Sequence, residues 1–282
     1  MKAYAEFHVP ESYAEEFLPA DLGKKKMNFV RIVRVPVGSE IYQKIGEIYK
    51  QVRTRDKKFF FHGWNIHRSY SKKELASAKL LLLKINKTFE PTGLECGTVY
   101  DNHNACDICG TGIQQITELI LDLNTVPKNV DIARTISNEI IISREFAKLL
   151  IDNNVKGCNI NIVHHNSPEY KKKAWFQLMA TSLVSVNSAT KTGEDPFDED
   201  EHNKYRCAKG HTIGLDILSE LSIDIDSWNG SDFAATKELF GVNRGLLRTY
   251  PLLVISQKLY RLITEMHCKG FTVEVVHLVA RG

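Results

Sequence analysis

The chain lacks the short motifs that usually announce an enzyme. It has no glycine-rich loop ending in Lys-Ser/Thr to cradle phosphates, no His-Glu-x-x-His pair and no Gly-x-Ser-x-Gly elbow. The His-x-Glu partner that would complete a deaminase-type zinc site is also missing. These absences remove the common sequence arguments for catalysis without excluding it. Long apolar runs are missing too. The most apolar-leaning stretch, Trp175 to Val186, is too short and too polar to span a bilayer. The N-terminus, MKAYAEFHVPESYAEEF, has no apolar segment of the secretory type. Six cysteines in 282 residues are too few for a disulfide framework, and without an export signal they are expected to be reduced. A cytoplasmic location is the expectation.

What is present is the composition of a globular protein, 43% hydrophobic and 25% charged. The formal net charge of +3 is unevenly spread. Residues 1–95 carry 18 Lys and Arg against 11 Asp and Glu, whereas residues 96–282 carry 19 against 23. A basic face is therefore expected in the N-terminal region, either as ordinary solvated surface or as a nucleic-acid contact.

The strongest signal is internal repetition. Ile142-Ser143 to Gly157 and His164 recurs at Ile255-Ser256 to Gly270 and His277, at a constant offset of 113 with seven identities in 23 positions. In each copy a short apolar strand runs into a serine N-cap, a helix, a glycine near the helix end and an exit strand. The expected fold class is α+β, with an N-terminal region packed on two related strand-helix-strand units. The expected organisation is a basic region at 1–95, a first unit at 96–190, an acidic loop at 191–203 and a second unit at 204–282. Within the N-terminal region, Met27 to Val37 alternates as a half-exposed strand. Ile41 to Val52 reads as a helix, Ser71 to Glu74 as a capping box and Leu80 to Ile85 as a strand.

Each copy is headed by a cysteine knuckle. Cys106-Asp107-Ile108-Cys109-Gly110 is a Cys-x-x-Cys-Gly turn, which converges two thiolates on one metal. Cys207-Ala208-Lys209-Gly210-His211 offers one more thiolate and an imidazole. Together Cys106, Cys109, Cys207 and His211 make a tetrahedral Cys₃His set suited to a structural Zn²⁺. Cys96 is an alternative ligand, and His103 and His202 are weaker ones. Cys158 and Cys268 fall within the apolar pattern of the repeats and read as packed thiols. His164 and His277, at equivalent ends of the exit strands, suggest a shared structural hydrogen bond.

Two further segments carry charge or chemistry. Arg53 to Arg68 interleaves cations with aromatic rings, as single-strand nucleic-acid binders do, and contains His62, Asn65 and His67 with no acidic residue close in sequence. Glu194, Asp195, Asp198, Glu199, Asp200 and Glu201 form an acidic stretch that reads as a solvated loop or as a surface for a basic partner.

At the knuckles and the repeated Ile-Ser…Leu…Gly…Val unit, the chain resembles the bacterial double-CxxCG motif proteins and the wider set of immunity proteins found beside polymorphic toxins. The residues that carry the resemblance are Cys106, Cys109 and Gly110, the Ser143 helix to Gly157, Cys207, and the Ser256 helix to Gly270. The second knuckle departs from the pattern, with Gly210 where a cysteine would stand and His211 one residue later. The resemblance implies a non-enzymatic protein that binds and neutralises a cognate secreted toxin. The alternatives are a nucleic-acid-binding zinc protein using Lys24–Lys26 and Arg53–Arg68, and a zinc-dependent hydrolase with one open coordination position.

Overall fold

Strict alternation builds the first strand. In β1 (Lys2–Pro10) Ala5, Phe7 and Val9 are buried, while Tyr4, Glu6 and His8 point the other way. The computed structural model describes residues 1–26, 29–167, 169, 174–199 and 204–280. Next come α1 (Glu11–Phe17), β2 (Lys24–Lys26), β3 (Val30–Pro36), α2 (Glu40–Asp56), β4 (Gly63–Ser69) and α3 (Lys72–Ser77). The strands form an antiparallel sheet of order β2-β3-β1-β4. Helix α2 starts at Ser39, whose hydroxyl accepts the Tyr42 N–H, and ends at Lys57 in the left-handed region. Its stripe of Ile45, Ile48, Tyr49 and Val52, at helical spacing, packs on Phe7, Val33 and Val35.

The chain divides into two compact units, one of residues 1–74 with 195–199, the other of 75–194 with 200–282. The boundary therefore falls near residue 74 rather than 95. The reason is the apolar run Leu80–Ile85, which is a central strand of the second unit.

That unit runs β5 (Leu80–Ile85), β6 (Thr88–Phe89), β7 (Tyr100–Asp101), β8 (Gln114–Gln115), β9 (Leu119–Leu121), β10 (Ile132–Thr135), β11 (Ile140–Ser143), α4 (Arg144–Asp152) and β12 (Cys158–His165). It continues with β13 (Trp175–Ala180), β14 (Leu183–Val184), β15 (Thr192–Gly193), β16 (Thr212–Gly214), β17 (Asp216–Ile217), β18 (Leu221–Asp224), β19 (Phe233–Phe240), β20 (Tyr250–Ser256), α5 (Gln257–Glu265) and β21 (Phe271–Val279). Two sheets dominate it, β6-β10-β11-β13-β12-β9 and β14-β19-β20-β5-β21-β18, with β16 also paired to β19.

The α+β expectation is overturned. The chain is mostly β, 39% strand against 19% helix. Helices α4 and α5 are single nine-residue crossovers carried by many-stranded sheets. The duplication is nevertheless plain, because the two strand orders correspond position by position. Where β13 lies between β11 and β12 in the first sheet, β5 lies between β20 and β21 in the second. Along the chain β5 leads into the first sheet and β13 into the second, so each repeat donates its leading strand to the middle of the other's sheet.

The exchanged strands are apolar enough for that position. In β5, Leu81 and Leu83 join one core with Ile142, Phe146, Leu150, Ile255, Leu259 and Ile263, while Leu80 and Leu82 join another with Ile223, Val254 and Val276. Truncating Leu81, which is fully buried, to alanine would cost about 2–5 kcal/mol.

Reciprocal polar contacts tie the repeats together. Asp131 accepts from the Ser143 hydroxyl (3.0 Å) and from the Lys269 N–H (2.8 Å). Asp232 does the same with Ser256 (2.9 Å) and the Lys156 N–H (3.1 Å). Each serine also caps its own helix, accepting from Phe146 or Leu259. The glycines after the helices, Gly157 and Gly270, have φ of +96° and +108°. A Cβ there would lie 2.0 Å from the Phe233 carbonyl oxygen and 2.2 Å from that of Ile132. The same device closes both edge strands. Thr98 donates to the Ile120 carbonyl and accepts its N–H, and Thr190 repeats this with Ser222.

Candidate metal centre

The first knuckle is the tip of a hairpin whose legs are β7 and β8, with Tyr100 opposite Gln115 and Asp101 opposite Gln114. Tyr100 is held from below, because its hydroxyl donates to the buried carboxylate of Glu139 (2.7 Å), which also accepts the Gly93 N–H. Burial and that neighbouring carboxylate push the Tyr100 phenol up. The second knuckle is closed by a bridge between Arg206 and Ile213 and leads into β16.

The two tips share the bond that closes them and differ by one residue in the turn inside it. Cys106 N–H bonds the Thr111 carbonyl and Gly110 N–H bonds that of Cys106. Cys207 N–H likewise bonds Thr212, and Gly210 N–H bonds Cys207. Gly110 and Gly210 both take positive φ, +70° and +79°.

These turns bring Cys106, Cys109, Cys207 and His211 together, with all four ligand atoms within 4.8 Å of one another. The Sγ atoms of Cys106 and Cys207 are 3.8 Å apart. His211 Nδ1 lies 3.5 Å from Cys109 Sγ and 3.7 Å from Cys207 Sγ. A tetrahedron with metal–sulfur bonds of about 2.3 Å and metal–nitrogen bonds of about 2.0–2.1 Å has edges of about 3.8 Å and 3.5 Å. The donor set thus fits a tetrahedral metal ion.

Its electrostatics fit as well. The backbone N–H groups of Cys109 and Ile108 point at the Cys106 sulfur and lower its pKa. Burial opposes ionisation of Cys207, but the N–H groups of Lys209 and His211 outweigh it and the thiol is lowered. Cys109 is raised, chiefly by burial. All three sulfurs are sunk below the surface, at 5–8% exposure. Outside them, Lys209 donates to Asp107 (2.8 Å) and joins the two tips across solvent. Among the described residues this is the one such cluster.

The remaining candidates separate from it. Cys96 is half-buried, with Asn166 at 4.0 Å, and is not one of the four. His103 is exposed and is not among them either. His202, Asp200 and Glu201 lie outside the described residues. Cys158 and Cys268 pack against the core between the sheets, and burial pushes both thiols up to about 11. His164 and His277 pair with Glu118 and Glu220, each beside the parallel edge strand of its repeat.

The acidic stretch is not a free loop. Glu194 accepts from Lys204 and the Tyr205 hydroxyl within the second unit. Asp195 is buried in the first, where it accepts from the Tyr49 hydroxyl (2.6 Å) and is raised by burial. Phe197 stacks on Phe7 with centroids 5.6 Å apart, tight against Gly46. Asp198 stands 3.8 Å from Arg53, and Glu199 is exposed. Phe197 is the signal that reading by charge passed over: one aromatic ring among acids is an anchor. Two cations of the basic segments are also partnered, Arg55 with Asp56 and Glu16, and Lys25 with Glu11 and Glu15.

In comparisons with known proteins, no family model and no curated protein matches this chain. No helix among the described residues is long and apolar enough to cross a membrane.

Proposed function

We propose that the chain is a zinc-stapled binding protein of the immunity type, whose metal holds the two repeats' knuckles together and takes no part in a reaction. The supporting observation is the count and spacing of donors. Three thiols and one imidazole fill a tetrahedron, so no position remains for water or substrate, unlike a catalytic zinc with three protein ligands. Thiolate-rich donor sets favour zinc over magnesium or calcium. This argues against the zinc-hydrolase alternative. The partner, a secreted toxin, is inferred from the resemblance carried by the two knuckles and the repeated helix. A scaffold clamped at a metal and by reciprocal aspartates presents preorganised surface, which lowers the entropic cost of binding.

Elemental analysis with zinc X-ray absorption on the purified chain tests the staple. One zinc with three sulfur and one nitrogen neighbours is expected; no metal, or fewer than four protein ligands, overturns it. Co-expression with a candidate toxin from a neighbouring gene tests the partner. Restored growth is expected, and unrelieved toxicity overturns the immunity reading.

A further inference from the structure

The outward face of the N-terminal sheet gathers side chains that are scattered through the sequence. Directly paired residues of an antiparallel sheet share a face. Glu6 stands opposite Arg34 on one side and Asn65 on the other, and Tyr4 stands opposite His67. His8 shares that face through Ile32, and Lys24 does so through the same residue. Lys2, opposite Ser69, and Lys26, opposite Val30, extend it.

At the centre Glu6 is the least exposed of these groups, with 13% of its side chain accessible, against 43% for His8, 49% for His67 and 68% for Arg34. Its Oε1 is 3.0 Å from His8 Nε2, and its Oε2 lies 3.6 Å from His67 Nε2 and accepts from Arg34 Nε. Burial opposes the charge on Glu6, but bonds from His8 and Arg34 outweigh it and hold the carboxyl below its usual range. Each imidazole therefore turns its Nε2 to a fixed anion, while the ring as a whole stays about half exposed. The terminal amino groups of Arg34 make no hydrogen bond among the described residues. The acidic residue missing from the neighbourhood of His67 in sequence is supplied by another strand.

We propose that this face is a metal-independent site for binding and cleaving single-stranded RNA. It goes beyond the binding role inferred above, which concerns the zinc-stapled unit. Two imidazoles and a guanidinium around one carboxylate are the groups that transfer of a phosphodiester to its own ribose needs. Arg34 binds the phosphate, and Lys2, Lys24 and Lys26 draw the backbone to the face. Tyr4, 40% exposed, offers a ring for a base. One histidine takes the proton of the ribose 2′-hydroxyl, and the 2′-oxygen bonds to phosphorus. The bond from phosphorus to the 5′-oxygen breaks, and the other histidine protonates that oxygen. The products are a 2′,3′-cyclic phosphate and a 5′-hydroxyl. The histidines end with their protons exchanged, and water restores them without a further reactant. Glu6 is a positioning residue that holds both rings.

The test uses the full chain with a fluorescent single-stranded RNA oligonucleotide and its 2′-deoxy counterpart. The expected result is cleavage of RNA alone, with cyclic phosphate ends. H8A and H67A should each slow it about 100-fold or more. E6Q should lower kcat with KM within about twofold, and R34A should chiefly raise KM. His8, His67 and Arg34 are exposed, so unchanged thermal midpoints are expected in H8A, H67A and R34A, a small drop in E6Q, and unchanged zinc content in every variant. Intact RNA, ends with a 3′-hydroxyl, or equal cleavage by an H8A/H67A double variant purified identically would each overturn the proposal. Zinc content is read separately, so failure here leaves the staple standing.

Discussion

The two repeats solve the same structural problem with different ligands. Both close a hairpin-like tip with a cysteine N–H bonded to the carbonyl five residues on, yet the first contributes Cys106 and Cys109 and the second Cys207 and His211. Both tie a helix cap to the other repeat through an aspartate, yet only Asp232 also meets a lysine, Lys258 at 3.1 Å. The shared features are backbone paths and buried polar contacts, where a change leaves unsatisfied groups. The differing features are side chains that serve one role by alternative chemistry.

The largest break in this comparison is expected at the metal. C106S/C109S removes half the donors, should abolish metal retention and should lower the thermal midpoint by at least about 15 °C, since structural zinc contributes on the order of 10 kcal/mol. H211A leaves three thiolates and should keep the metal with affinity reduced by about 100-fold or more, beyond the loss of an outer-shell partner. Metal titration against a chromophoric chelator distinguishes the two; equal loss in both would remove the distinction between the knuckles.

At the glycines the repeats should behave alike. G157A and G270A each drive a Cβ into a carbonyl of the other repeat at positive φ, so each should cost about 2–4 kcal/mol by urea unfolding. A difference above about 1 kcal/mol would show that the repeat contacts are not energetically equivalent.

The aspartates should differ modestly. D131A should cost about 2 kcal/mol and D232A up to about 1 kcal/mol more, because the latter also loses its ion pair with the half-exposed Lys258. Burial opposes the charge on Asp232, but bonds from the Lys156 N–H, Lys258 and Ser256 outweigh it and lower its pKa below the ordinary 3.8. Its contribution is therefore complete above about pH 4 and lost as the pH falls through the depressed folded-state value. Acid unfolding of D232N should be shallower in that window than that of the parent.

The smallest effect is chemical. With thiols at about 11, Cys158 and Cys268 should alkylate at pH 8 about 100-fold more slowly than an ordinary cysteine. Mass mapping after iodoacetamide checks both, and fast labelling of one alone would mark a repeat that opens.

Local grammar was well written in the sequence. Ser143 and Ser256 are the caps expected, Gly157 and Gly270 occupy the turns expected, and the four metal-ligand candidates converge. The fold class was not legible, because the periodic segments that were easiest to see are the two helices, while β10, β13 and β19 carry no helix-like period. The exchange of β5 and β13 is long-range pairing between Leu83 and Leu253, or Gln177 and Ile141, which no local window contains. Asp195 shows the same limit: its charge suggested solvent, but Phe197 beside it buries the turn.

Exchanging central strands also has a consequence for biosynthesis. Leu80–Ile85 is made early, but both of its neighbours, Tyr250–Ser256 and Phe271–Val279, emerge late. Until then a run of four leucines waits without its ladder, exposed to other nascent chains and to chaperones. The second sheet can close only after most of the polypeptide has left the ribosome, so its folding is largely post-translational and slowed by the long loops it must close.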